Sequence, residues 1–199
     1  MKTRILTLCL ALLAGCSGSW ETDYGTGIEN TVSQKWRVRE VNVAIPDDLT
    51  TTETNSYAPN ADVVWHEDPV GDRRMQVAEI LTDGVRRGAR PLRGSKPVNL
   101  DVMLYEFHAL TPLARAKAPS AVHNIAFSIQ VVDARTGEPL TEPEFIRADL
   151  EAHVGEAAFE AFQQGETQKV RITRHLQQVT ASWLGIGPDV RRSFSSAGR

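Results

Sequence analysis

The sequence predicts an α+β fold. Its expected form is a two-layer sandwich, a four-stranded, mostly antiparallel sheet with two amphipathic helices on one face, in the order β-α-β-β-β-α. Three observations lead there. Stretches 98–110 and 122–133 alternate side chains with period two and are rich in β-branched residues. Stretches beginning at 69 and 167 repeat apolar residues at helical spacing. Two helices with one apolar stripe each need one sheet face to cover, and two layers satisfy that need. The 199 residues, 41% hydrophobic and 24% charged, are ordinary for one globular domain with a real core.

The chain opens with Lys2 and Arg4, an almost unbroken apolar run over 5–13, and then Leu13, Ala14, Gly15 and Cys16. That is the layout of a secretory signal with a cysteine at the cleavage position. The run is shorter than the roughly 20 residues a spanning helix needs. It matches the bacterial lipoprotein signal, which implies acylation of Cys16 as the first mature residue and a stable lipid anchor. By resemblance to enterobacterial lipoproteins, Ser17 after the cysteine implies the outer membrane, with the domain on its periplasmic face. The expected organisation is therefore a signal over 1–15, a flexible lipidated tether over 16–34, one domain over 35–186 and a flexible tail over 187–199.

Residues 36–45 read as the first strand, with Trp36 and Val38 alternating against Arg37 and Arg39. The inward set then shifts to Val41, Val43 and Ile45, which predicts a bulge near Glu40. Residues 47–62 are a long polar loop, and 63–65 a short strand or an anchor for it. Asp68 is expected to cap a helix with Pro69 in its first turn. Val70, Arg74, Val77, Ala78, Leu81 and Val85 would form its face, and Gly88 its stop. Strand 98–110 carries apolar residues on both faces and should be central. Residues 111–120 form a loop, and 122–133 puts Ile125, Phe127, Ile129 and Val131 on one face. The turn 133–138 places Gly137 where a positive φ is needed. A fourth strand over 145–152, a short helix over 155–164 and a longer helix from 167 complete the domain. Ile172, Leu176, Val179 and Trp183 stripe that last helix, and Gly185 closes it. If the first two strands are parallel, their helical connection should be right-handed.

Composition narrows the function. Loss of the signal removes Lys2 and Arg4, two of 22 basic residues, against 25 acidic ones, so the mature chain is more acidic than the −3 of the full sequence. That disfavours nucleic acid as a partner. Cys9 leaves with the signal and Cys16 carries lipid, so no thiol remains for a disulfide, a zinc site or a nucleophile. His66, Glu67 and Asp68 are consecutive and would point to alternating sides, which is poor geometry for a metal. His108 and His123 would sit in neighbouring strands as a hydrogen-bonded pair. The sequence holds no Gly-x-Ser-x-Gly elbow, Walker loop or His-Glu-x-x-His. The expectation is a non-enzymatic protein with no cofactor and no metal.

Two groups of residues remain as contact candidates. Arg86, Arg87, Arg90 and Arg93, with Lys96, follow the first helix; they complement its dipole or meet acidic headgroups or an acidic partner. Trp20, Tyr24, Tyr57 and Trp65 lie in the expected tether and long loop, where aromatics serve as contact points.

The runs 101–108, 129–140 and 168–176 resemble small uncharacterised lipoproteins of the Rhodobacter group, over most of the mature chain. The turn 133–138 is also similar to turns of envelope lipoproteins, including the curli secretion-pore lipoprotein and auxiliary lipoproteins of envelope ABC transporters. The resemblance implies location and fold and carries no catalytic residue with it. The expected role is an accessory or assembly subunit that holds another envelope protein on its uncovered sheet face or long loop. The alternative is a periplasmic binder or carrier of lipid or another apolar ligand, with a cavity between helices and sheet.

Overall fold

The structure is a computed structural model and describes residues 19–197; Cys16 and the signal stretch lie outside them. The chain runs β1 (Ser19–Tyr24), α1 (Asn30–Ser33), β2 (Trp36–Ala44), β3 (Val63–Val64), α2 (Arg73–Ala89) and β4 (Lys96–His108). It continues with α3 (Pro112–Lys117), β5 (Ala121–Asp133), β6 (Glu144–Ala148), β7 (Leu150–Ala152), α4 (Gly155–Gln163), α5 (Gln168–Trp183) and β8 (Ser195–Ala197).

The α+β class and the mostly antiparallel sheet are as expected, but among the described residues the sheet has eight strands rather than four, and there are five helices rather than two. Its order is β2-β4-β5-β6-β1-β8, with β3 pairing β4 beyond the end of β2 and β7 pairing β5 beyond β6. β2 and β3 run parallel to β4, and the remaining pairs are antiparallel. β4 is central, as its two-sided apolar pattern predicts.

Two of the additional strands come from segments expected to be flexible. Residues 19–24, read as part of a tether, form β1 and pair with β6 through Thr22–Ala148 and Tyr24–Ile146. The signal was present: Trp20, Thr22 and Tyr24 alternate with Glu21 and Asp23, a short amphipathic strand. Its short length and the glycines after it masked the pattern. In the expected tail, β8 pairs with β1. The expected strand 145–152 is broken at Asp149 into β6 and β7.

The bulge predicted near Glu40 is present, as a register shift between Val38 and Glu40. A second bulge between Leu104 and Glu106 rephases β4, so Phe107 joins Val98, Leu100, Val102 and Leu104 in the core instead of facing away. Gly137 takes φ +75 in the turn between β5 and β6, and Gly185 takes φ +67 after α5. Helix α2 begins four residues later than expected. Asp72, rather than Asp68, is its cap and accepts from the Met75 amide at 3.0 Å, which leaves Val70 exposed.

Gly88 is not the stop of α2. It lies inside the helix, one turn after Gly84, where α2 crosses α5. A Cβ there would sit 2.6 Å from the Gln177 carbonyl oxygen, and one at Gly84 would sit 2.5 Å from Leu176 Cβ. These glycines let the two helices approach closely on the inner sheet face. The layer between helices and sheet is filled by large buried side chains, among them Trp65, Trp183, Phe107, Phe127 and Leu176.

Candidate functional site

Among the described residues no helix covers the middle of the outer sheet face, where Met103, Tyr105 and Phe145 are exposed. Met103, Ser128 and Phe145 form one cross-strand row through β4, β5 and β6. The Leu104–Glu106 bulge brings Tyr105 over the same row. Its hydroxyl donates to Ser128 Oγ at 3.2 Å, and its ring centroid lies 5.7 Å from that of Phe145. Met103, Tyr105 and Phe145 keep 44%, 43% and 49% of their surface exposed. Beside them a groove of about 630 Å³ adds Trp20, Asp62, Glu106, His108 and Arg147. Arg147 pairs with Glu21 at 3.5 Å, and His108 Nδ1 lies 3.6 Å from Glu106. The result is a small apolar patch with a charged rim.

The long loop is fastened to this end of the sheet. Asp62 accepts from the Thr50 amide and hydroxyl, both at 2.7 Å, and those bonds hold its carboxyl below the usual range. Asn55 accepts from the Leu113 amide, and the Ser56 carbonyl from Thr111 Oγ1. Buried Arg73 holds Glu53 through two bonds of 2.6 and 2.9 Å.

A buried polar group lies where β1, β5 and β7 meet α5. The Asp149 carboxylate accepts from the Glu21 amide (3.0 Å) and the Ile125 amide (3.1 Å). Burial pushes the Asp149 carboxyl up to about 6, although both amides act in the opposite direction. Thr22 Oγ1 donates to the Asp149 carbonyl at 2.8 Å, and His175 Nε2 lies 3.2 Å from the same hydroxyl oxygen. With the threonine proton committed to that carbonyl, His175 must donate, which assigns its Nε2–H tautomer. His123 is fully buried, and among the described residues neither ring nitrogen has a hydrogen-bond partner. Burial lowers His175 to about 4 and His123 to about 3, helped in both by the nearby Arg171 charge. At neutral pH both rings are uncharged structural elements.

Residues 36–199 match a family described as "Family of unknown function (DUF6778)". The chain belongs to that family. The DUF6778 match begins at Trp36, the first residue of β2, so β1 precedes it. No curated protein matches the chain. Among solved structures, it is similar to a candidate lipoprotein from Caulobacter crescentus CB15, with 13% identity over 78% of this chain and 93% of that one, TM-score 0.36. It is similar to a crystal structure of an uncharacterized protein, with 14% identity over 79% and 92%, TM-score 0.34. The PelC dodecamer from Paraburkholderia phytofirmans gives 11% identity over 81% and 98%, TM-score 0.28. At these identities and TM-scores the likenesses carry no argument about activity or assembly.

The other residues singled out from the DUF6778 sequence fall in several places. Trp65 is not a contact point: it is fully buried, stacks edge-on to Phe107 and donates from Nε1 to Asp68 at 2.8 Å. Tyr24 is also buried, with its hydroxyl bonded to Ser182. Tyr57 is exposed and Trp20 half-buried. Among the described residues no group of three His, Cys, Asp or Glu side chains is placed to hold a metal. Glu67 instead accepts from the Gln168 and Lys169 amides at 3.1 and 2.7 Å, opening α5, and Asp68 takes Lys169 Nζ at 2.8 Å. His108 and His123 do not pair; His108 stands opposite Asn124 and bonds the Ala61 carbonyl. Arg86, Arg87, Arg90 and Arg93 are exposed and line a groove of about 650 Å³ with Arg39 and Gln177. Asp83 pairs with Arg87 at 2.8 Å. No described helix is long and apolar enough to cross a membrane.

Sequence reading missed Asp149 and the Tyr105–Phe145 patch. Asp149 alternates with Arg147 and Glu151 against Ile146, Ala148, Leu150 and Ala152, so it reads as one more outward polar residue of the strand 145–152. The second depends on a bulge with no local signature.

Proposed function

We propose that this DUF6778 chain is a periplasmic lipoprotein, acylated at Cys16 and held on the periplasmic face of the outer membrane, where it serves as a non-enzymatic accessory subunit. Its open sheet face, centred on Tyr105 and Phe145, holds another envelope protein. The sequence Leu13-Ala14-Gly15-Cys16 after an apolar run supports the anchor. The observation that carries the accessory role is the pair of aromatic rings left half-exposed in the middle of a sheet and rimmed by charge.

The test is a photo-crosslinking residue placed at position 145 in cells, followed by mass spectrometry of the crosslinked membrane fraction. One stoichiometric envelope protein, lost when Tyr105 is changed to Ala, is the expected result. Recovery of abundant porins alone would overturn the role. Radiolabelled palmitate incorporation, abolished by Cys16→Ser, checks the anchor separately.

A further inference from the structure

The chain leaves very little slack between its lipid and its fold. Strand β1 begins at Ser19, three residues after Cys16. Three residues reach at most about 11 Å. The end of the sheet at which β1 starts must therefore lie close to whatever surface holds Cys16.

Strand directions identify that end. β1 is antiparallel to β6, β6 to β5, and β5 to β4. The start of β1 therefore shares an end with the close of β4 at His108, the start of β5 at Ala121, and β7. At this end a groove of about 700 Å³ is lined by Trp20, Tyr57, Pro59, Pro119, Val122 and Phe194, among others, with Glu151 as the single carboxylate in its lining. Tyr57 is 59% exposed, although its loop is tied down through Asn55 and Ser56. On the other side of α3, α4 presents Phe159 and Phe162 at 64% and 53% exposure, and the Arg115 guanidinium lies 6.0 Å from the Phe162 ring. Half-buried Trp20, exposed Tyr57 and the exposed Phe159 and Phe162, the last with Arg115 beside it, suit the bilayer interface, where one side of a ring meets hydrocarbon and the other water.

We infer that this end of the sheet, the groove between Trp20, Tyr57 and Phe194 together with Phe159 and Phe162 of α4, rests on the bilayer that holds Cys16. The inference rests on the lipid-anchor reading. The strands then run away from the membrane and the Tyr105–Phe145 face stays open to the periplasm. The Arg86–Arg93 cluster lies next to the start of β4, at the opposite end, about 40 Å along that strand.

The cysteine count makes the test simple. Cys9 leaves with the signal and Cys16 is acylated, so an introduced cysteine is the sole free thiol. The lipidated full chain carrying Tyr57→Cys or Arg90→Cys is labelled with a nitrobenzoxadiazole fluorophore. It is then reconstituted in phosphatidylethanolamine–phosphatidylglycerol vesicles. The expected result is blue-shifted emission at position 57, quenched by shallow doxyl lipids, with water-like emission at position 90. In the unlabelled chain, lipids brominated near the headgroup should quench Trp20 fluorescence, since Trp36, Trp65 and Trp183 are buried. Trp20→Phe should abolish that quenching. Water-like emission at 57 on an acylated chain that floats with vesicles would overturn the membrane face alone. A blue shift at 57 without doxyl quenching would mean that protein covers the groove, and would also overturn it. Stronger quenching at 90 than at 57 would put the arginine end on the bilayer instead. An intact mass without acyl chains, with no flotation, would overturn the anchor and this inference together.

Discussion

Acid should weaken this fold well above the pH at which carboxylates usually fail, because two histidines are buried uncharged. His123 and His175 are lowered by burial to about 3 and about 4, from an ordinary value of 6.5. A histidine whose folded pKa lies below its unfolded one contributes stability that is complete above pH 6.5. That stability drains away as pH falls, because the unfolded chain takes up the proton first. Between pH 7 and pH 5 each ring loses about 2 kcal/mol on this linkage. Asp149 works in the other direction. Raised to about 6, it binds its proton in the folded state first and returns about 1 kcal/mol over the same interval. The net loss is about 2–3 kcal/mol, a large share of the stability of an ordinary domain. Urea unfolding followed by tryptophan fluorescence at the two pH values measures it directly. His123→Leu separates the cause, because it removes two ring nitrogens that have no partner among the described residues. The variant should be at least as stable as the parent at pH 7 and should lose about 2 kcal/mol less on acidification. An unchanged pH dependence in His123→Leu would refute the reasoning.

Three further outcomes follow from packing and capping. Gly88→Ala should destabilise by about 1–2 kcal/mol despite the better helix former, because its Cβ meets the Gln177 carbonyl and Thr180 at 2.6 Å; a rise in the urea midpoint would contradict the close helix crossing. Glu67→Ala removes the acceptor for two amides at the start of α5 and should cost about 1–2 kcal/mol in the same assay, with Glu67→Gln recovering part of it. Trp65→Ala empties a fully buried site against Phe107 and should cost about 3–5 kcal/mol. A surface role for Trp65 would leave stability within about 0.5 kcal/mol.

Much of the fold was legible because its signals are local. The stripe Ile172, Leu176, Val179 and Trp183 is buried as the helical period requires, and Ile125, Phe127, Ile129 and Val131 share the inner face of β5. The face change around Glu40 announced its bulge. Other features were hidden because their reasons are not local. Asp68 followed by proline looked like a cap, but the carboxylate is engaged by Trp65 and by Lys169, about a hundred residues away. Trp65, between the long polar loop and the run His66-Glu67-Asp68, reads as exposed until Phe107 of β4 packs against it. Arg86, Arg87, Arg90 and Arg93 are exposed, and the open sheet face that the sequence anticipates carries aromatic residues that it did not single out.

The sequence by itself determined the α+β class, the sites of the main helices and central strands, and the tight turn at Gly137, and its Leu13-Ala14-Gly15-Cys16 run is the ground on which an anchor is proposed. Side-chain periodicity, turn residues and motif spacing are written within a few neighbouring residues, and each has its own physical cost when violated. Only the tertiary structure decided that residues 19–24 are a sheet strand and not a tether, that Gly84 and Gly88 serve a helix crossing, and that two histidines are buried among strands. A short strand is marginal alone and is held only by partners such as Ala148 and Ile146, far along the chain. That pairing is absent from any local window.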